Sequence, residues 1–382
     1  MSFGRKRNKG SNPSLLSLPI SPVATLDPIA WFDASDTTSL RVGRDGSGGF
    51  PDVDDLVGLM LDKSQMGGKT ADAFIAAQPE LVTDGGFDLG VSEWTLYAPD
   101  GGSISHVGSA LRLTSGTARS RAFGTITTVP GTYYRFKADV AIGTADLLRR
   151  AQFKAGTTAG NSDLIFVDGD LSGDDLFFRA ATTTTHLTIQ VEGGGFYMDF
   201  DNISVKEIPG AHAIAPADNQ RPTLRSGSYL EFDGVDDVLE FDTGIDHVSS
   251  LFVAANLRSG TGYRALAQSR RQASYLNLLG GTWGGYNNAD LPSSYSIGST
   301  PRVLGQVSRS FDDVDLYTDG NAAENITNGT SYQSRTPSIS TRTPSQVAAM
   351  DFYGLLYCDR ELTLSEIQTV KTFLAQKAGV TL

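Results

Sequence analysis

Apolar and polar residues alternate with period two along much of this chain. Leu230 and Phe232 are the apolar members of Tyr229-Leu230-Glu231-Phe232-Asp233, and Leu239 and Phe241 take the same places in Val238-Leu239-Glu240-Phe241-Asp242. Successive side chains of a strand point to opposite faces, so each run reads as a strand with one buried face. Gly234-Val235-Asp236-Asp237 lies between them and consists mostly of turn residues, so the spacing predicts a β-hairpin. Val314-Asp315-Leu316-Tyr317-Thr318 is a further strand, ending in an Asp319-Gly320 turn. Leu111–Thr114, Tyr133–Val140 and His186–Val191 add others, separated by short stretches of Gly, Ser, Thr, Asn and Asp. Such a pattern predicts an all-β sandwich.

One segment switches to helical spacing. Ile367, Val370, Phe373 and Leu374 fall on one face of a helix, Thr363 and Glu366 form a capping box, and Gly379 is the stop signal. This helix is expected to pack against the sandwich edge.

Composition narrows the function. Glycine is abundant, 42 of 382 residues, which suits a turn-rich fold. The net charge of −12 argues against duplex nucleic acid as a partner, because phosphates need a basic field. The lone cysteine, Cys358, excludes an intrachain disulfide framework and is expected in the core, and the four histidines have no metal-ligand spacing. No stretch of about 18 apolar residues exists, so no membrane insertion is expected. Residues 1–26 differ in character. They hold Arg5, Lys6, Arg7 and Lys9, no acid, and Pro13, Pro19 and Pro22, which deny the segment a helix. The run Leu15-Leu16-Ser17-Leu18 is too short for a signal peptide. The segment reads either as a disordered tail or as an extended arm that docks onto an acidic partner.

Three segments, in order, resemble concanavalin A-like, laminin-G-type lectin domains. They are Ser228 to Asp237, Asp315 to Gly320, and Phe352 to Ile367, covering about 209–382. Pro28 to Asp36 resembles that family's opening strand, and Asp62-Lys63-Ser64 with Gly67-Gly68 resembles the segment after it. The continuation reappears only at His212-Ala213 and Arg221-Pro222-Thr223-Leu224. The resemblance therefore implies one jelly roll divided into 27–69 and 209–382 by an insertion at 70–208. The insertion resembles family 4/9-type carbohydrate-binding modules, through Glu80 to Asp88 with Trp94, Thr128 to Val140, and Asp199 to Lys206. The two ends of such a module come from neighbouring strands, so it enters a surface loop of a host at little cost.

That second resemblance implies one structural Ca2+, with Asp88 and Asp201 as carboxylate ligands and backbone carbonyls supplying the rest. For sugar binding, an aromatic face with nearby amides is the expected chemistry. The Gly-rich loop with Trp283, Tyr286, Asn287 and Asn288, flanked by Tyr275, supplies one candidate group. Tyr97 and Tyr134 are candidates in the insertion. Tyr133 and Tyr134 are adjacent on a strand, so one should face the core and the other be available. Trp94 is expected to be structural.

Catalysis finds no motif. Laminarinase-like relatives carry Glu-x-Asp-x-x-Glu on one strand. Here Glu231, Asp233 and Asp236 come nearest, but Gly234 breaks the strand before the last member, which is Asp. The expectation is a non-enzymatic virion surface protein, a spike or fibre of a bacteriophage-type particle, that adheres to host-cell polysaccharide. Its arm would dock to other virion proteins through Arg5, Lys6, Arg7 and Lys9, it would be a homo-oligomer, and it would be made in the host cytoplasm. The alternatives are a structural capsid or tail subunit binding only proteins, an adhesin on the bacterial cell surface, and a capsule depolymerase.

Overall fold

The computed structural model describes residues 21–382 except 47, 143–150, 169–175, 242–244, 246–247, 260–263, 269–274, 280–281, 287–289, 297–299, 310–312, 327–336 and 341–346. The docking residues Arg5, Lys6, Arg7 and Lys9, and Asn287 and Asn288, lie outside them.

The protein is all-β, with strands in four sheets. Two of these pack as a first sandwich. One sheet runs Thr223–Arg225, Tyr229–Asp233, Ala349–Cys358, Ser250–Ser259, Arg302–Ser308, Val314–Thr318 and Glu324–Ile326, with Ala30–Asp33 also pairing with Ala349–Cys358. The facing sheet runs Leu40–Arg41, Leu59–Met60, Ala213–Ile214, Leu239–Phe241, Ser338–Ile339, Arg264–Gln268, Tyr275–Leu279, Thr282–Tyr286 and Asp290–Ser296. Strands from before residue 61 and after residue 212 thus build the same two sheets.

The expected hairpin at Gly234 is not one. Tyr229–Asp233 pairs with Ala349–Cys358, whereas Leu239–Phe241 pairs with Ala213–Ile214 in the opposite sheet. The turn carries the chain across the sandwich. Asp233 Oδ1 accepts the Val235 N–H at 2.7 Å and the Asp236 N–H at 3.3 Å, and Gly234 takes φ +81°. Alternation was satisfied all the same. Leu230, Phe232, Leu239 and Phe241 enter one core from opposite sides, where Phe32 stacks on Phe241 at 5.1 Å.

The C-terminal helix, Leu364–Ala378, lies over a sheet face rather than the edge. Its Ile367, Val370 and Leu374 cover Phe252, Ala254, Val303, Leu356 and Cys358, and Phe373 meets Trp31 edge-on at 5.5 Å. The eight-stranded sheet is therefore buried on both sides. Leu251, Val253 and Ala255 face the inner core while Phe252 and Ala254 face the helix, which explains an unbroken apolar run. Cys358 is buried under the helix, and burial pushes its thiol up to about 12. Both arms of the capping box are formed, and Gly379 is left-handed at φ +67°.

Residues 95–208 form two further five-stranded sheets around a separate core. Phe153 sits at its centre, 5.9 Å from the Phe136 ring and 5.4 Å from Phe200. The leading segment is laid along the final strand. Leu81 N–H donates to Val205 O at 3.0 Å, Ile203 N–H to Gly85 O at 2.9 Å, and Glu80 Oε1 accepts the Val205 N–H at 2.7 Å.

Where the chain leaves and re-enters the first sandwich, the separated segments meet. The buried Asp62 carboxylate accepts backbone N–H bonds from Trp31 at 2.9 Å and Ala211 at 3.0 Å. His212 Nδ1 accepts the Asp62 N–H, so its Nε2 carries the proton donated to Ile208 O, and burial holds the ring down to about 4. A small apolar cluster joins the sandwiches here: Leu59, Leu61, Met66, Ala71 and Ile75 against Tyr133, Phe177 and Ile208. The buried Arg41 guanidinium stacks between Phe50 at 4.3 Å and Phe177 at 3.7 Å across the same seam.

Candidate functional site

The seam opens on one side into a cleft of about 630 Å3. The first sandwich contributes Val42, Gly43, Arg44, Asp45, Gly48, Ile214, Asp218 and Arg221; the second contributes Tyr133 and Arg179. Clefts between two rigid units are common places for ligands. The strand Tyr133–Ile142 pairs with Leu176–Arg179, setting Tyr133 opposite Arg179. The loop after Leu40–Arg41 brings Arg44, and the 3-10 turn Asp218–Gln220 brings Asp218 and Arg221.

Backbone carbonyls orient all three guanidinium groups. Arg44 donates from Nε to Ala215 O at 2.6 Å and from a terminal nitrogen to Pro216 O. Arg221 donates from Nε to Asp218 O at 2.9 Å and from a terminal nitrogen to Val42 O at 3.1 Å. Arg179 donates from Nε to Gly131 O at 2.9 Å, and its guanidinium carbon lies 5.9 Å from the Tyr133 ring. Tyr133 Oη donates to Arg44 O at 3.4 Å, linking the walls. Carbonyls fix the direction of these cations without neutralising them. Arg44 also pairs with the exposed Asp218, at a long 3.9 Å. Chemically, the arrangement is a set of pre-oriented planar donors.

The aromatic candidates fare differently. Tyr134 is a core residue, not an available one. It is 1% exposed, stacked on Phe178 at 5.4 Å, and its Oη accepts the Val129 N–H at 2.8 Å. Tyr133, on the opposite face of the strand, is 2% exposed because it points into the seam. Both faces are covered, so neither ring is available. Tyr97 is 50% exposed beside Phe123. Trp94 is buried against Phe87. Trp283 and Tyr286 lie on the strand Thr282–Tyr286 rather than in a loop, since Thr, Trp and Tyr are strand formers even around Gly284-Gly285. Tyr275 is directly opposite Tyr286 in the neighbouring strand, Tyr275–Leu279.

Asp88 is exposed and Asp201 half-buried, and Asp201 Oδ1 accepts the Asn202 N–H at 2.7 Å. Among the described residues neither belongs to a group of three acidic, His or Cys ligands; that group is Asp233, Asp236 and Asp237, at the turn of the first sandwich. Calcium takes six to eight oxygens, so this pair would need backbone carbonyls to complete a site. Around the turn, Glu231 is held by Arg225 at 2.5 Å and Arg258 at 2.6 Å, and these cations keep its carboxyl down to about 2. Asp237 is 6% exposed and desolvation pushes it up to about 7.

Sequence reasoning missed the cleft. Its arginines, Arg44, Arg179 and Arg221, are far apart along the chain, and no local spacing marks them. Arg221 alone stood in a segment already singled out, as the first residue of Arg221-Pro222-Thr223-Leu224.

No protein-family model and no curated protein matches the chain. Among solved structures, one described as "CBM4 structure and function" is 16% identical, covers 33% of this chain and 99% of its own, with a TM-score of 0.25. Trypanosoma rangeli sialidase is 10% identical over 74% of this chain and 63% of its own, with a TM-score of 0.35. A tail fibre protein from an E. coli phage is 8% identical over 71% of this chain and 40% of its own, with a TM-score of 0.20.

Proposed function

We propose that this protein is a non-enzymatic glycan-binding protein of a virion surface, adhering to host-cell polysaccharide. One observation carries the binding part: the cleft at the seam of the two sandwiches, lined by three arginines whose guanidinium groups are held by backbone carbonyls. Saccharides are dense in hydroxyl acceptors, and oriented planar donors suit them. The half-exposed Tyr97 offers an apolar face elsewhere on the second sandwich. The carboxylates nearest to a hydrolase pattern suit a structural role. Glu231 is clasped by two arginines, and Asp233 is spent on the turn. A general acid would need a raised and reachable carboxyl, and the raised Asp237 is buried. In the virion reading, the basic segment Arg5 to Lys9 docks the protein to its particle, and several copies supply the avidity that weak sugar contacts need.

The test is to incubate the full chain with a panel of bacterial capsular and surface polysaccharides, measuring retention and newly released reducing ends in the same tubes. Retention without release is the expected result. Release would make the protein a depolymerase, and no retention anywhere would leave a structural subunit with protein partners.

A further inference from the structure

We propose that the seam cleft recognises the carboxylate of an acidic sugar residue, so that its ligand is a carboxylated polysaccharide rather than a neutral one. This rests on the glycan-binding reading of the same cleft.

Local charge favours such a ligand. The chain carries −12 overall, yet the cleft sets Arg44, Arg179 and Arg221 against Asp45 and Asp218. An acidic protein repels an anionic polymer over most of its surface, so a locally cationic cleft is a favoured place for such a polymer to dock.

Elsewhere Arg112, Arg225, Arg258, Arg302, Arg309 and Arg360 each clasp a carboxylate, at 2.8 Å or less. Arg179 and Arg221 clasp none among the described residues, and their bonds run to carbonyl oxygens. Among the described residues Arg179 bonds only through Nε, so the terminal nitrogens of this exposed side chain have no carbonyl or carboxylate partner there. A planar fork with spare parallel donors matches a carboxylate bidentately. Holding Nε against Gly131 also removes part of the ordering cost of binding.

Neutral sugars are gripped largely by stacking on an exposed ring. Among the described residues Tyr133 is the one aromatic residue of the lining, and it is 2% exposed, packed edge-on with His212 at 5.3 Å. Among the described residues the cleft has donors and charge but no exposed aromatic face.

The experiment is affinity electrophoresis of the full chain in gels containing polygalacturonate, alginate or hyaluronate. Parallel gels contain each polymer after carboxyl reduction, dextran sulfate, or neutral dextran and galactan. Retardation by at least one carboxylated polymer is expected, at least about tenfold weaker after its carboxyl reduction. Arg179→Ala with Arg221→Ala should weaken it by a similar factor with the melting temperature unchanged. Arg179→Ala alone serves if the pair unfolds, because that side chain is exposed. Equal retardation by the reduced polymer, or by the variants, would overturn the proposal. So would stronger retardation by dextran sulfate, which would assign the cleft to sulfate esters. Retardation by neutral polymers alone would sink the carboxylate assignment and leave adhesion standing, whereas none by any polymer, here or in the wider panel, would sink both.

Discussion

The two sandwiches solve the same packing problem differently. The one formed by residues 95–208 closes on itself: two five-stranded sheets share one core, and its leading segment is bonded to its last strand. The other is knitted from chain segments 150 residues apart, through Asp62 and His212, and wears a helix over one sheet. The closed unit is held by contacts made within its own stretch of chain, its first residues bonded to its last strand. The knitted one depends on long-range polar links, and it holds the more perturbed buried acids.

Phe153→Ala should separate the two sandwiches most clearly. The ring is 0% exposed between Phe136 and Phe200, and removing such a ring costs about 3–5 kcal/mol. Calorimetry should resolve two transitions, with the variant lowering one by roughly 10–20 °C and leaving the other in place. A single transition that moves as a whole would mean that the seam cluster couples the sandwiches into one unit.

A smaller effect, expected in the knitted sandwich, comes from Asp237. Desolvation first, then the neighbouring Asp233, Asp236 and Glu231, push its carboxyl from the ordinary 3.8 up to about 7. The folded chain therefore keeps a proton that the unfolded chain loses between about pH 4 and 7. Across that window the group's contribution to stability declines as pH rises. Asp237→Asn keeps an acceptor for the Asp233 N–H, 2.8 Å away, and removes the charge. The variant should melt several degrees higher than the parent at pH 8 and nearly level with it at pH 4. No gain at pH 8 would place a cation or water beside the acid.

The contrast also explains what was readable in the sequence. In the closed sandwich burial alternates along Ala110–Thr114 and Ser120–Thr127, where one face is covered and the other is not, and such strands announce themselves. Leu251 to Ala255 is covered on both faces and has no such rhythm, because the helix supplies the second cover. The helix itself was legible from its cap and spacing, but not the face it covers. Period two located the strands around Gly234 correctly and misassigned their partners, since alternation says which face is buried and nothing about which strand lies alongside. Tyr134 shows the same limit: its face was predictable in parity but not what lay beyond each face. The cleft was illegible for a stronger reason. Arg44, Arg179 and Arg221 meet only because one sandwich interrupts the other, so no window of sequence holds them together.

Thr363→Ala gives the smallest effect and the sharpest reading of the helix layer. Thr363 Oγ1 accepts the Glu366 N–H at 3.4 Å, a long bond, while Glu366 returns the cap by accepting the Thr363 N–H at 2.8 Å. Loss of such a cap costs about 0.5–2 kcal/mol. The lower part of that range applies here, because Glu366 keeps its backbone bond and its contact with Arg360 at 2.7 Å. Ile367, Val370 and Leu374 stay buried on the sheet, so the helix should fray at its first turn rather than detach. The transition of the helix-covered sandwich should fall by a few degrees in calorimetry, and that of residues 95–208 should not move. A matching fall in both would show that the outer helix layer supports the seam through the eight-stranded sheet, and the two sandwiches would then be one cooperative structure despite their separate cores.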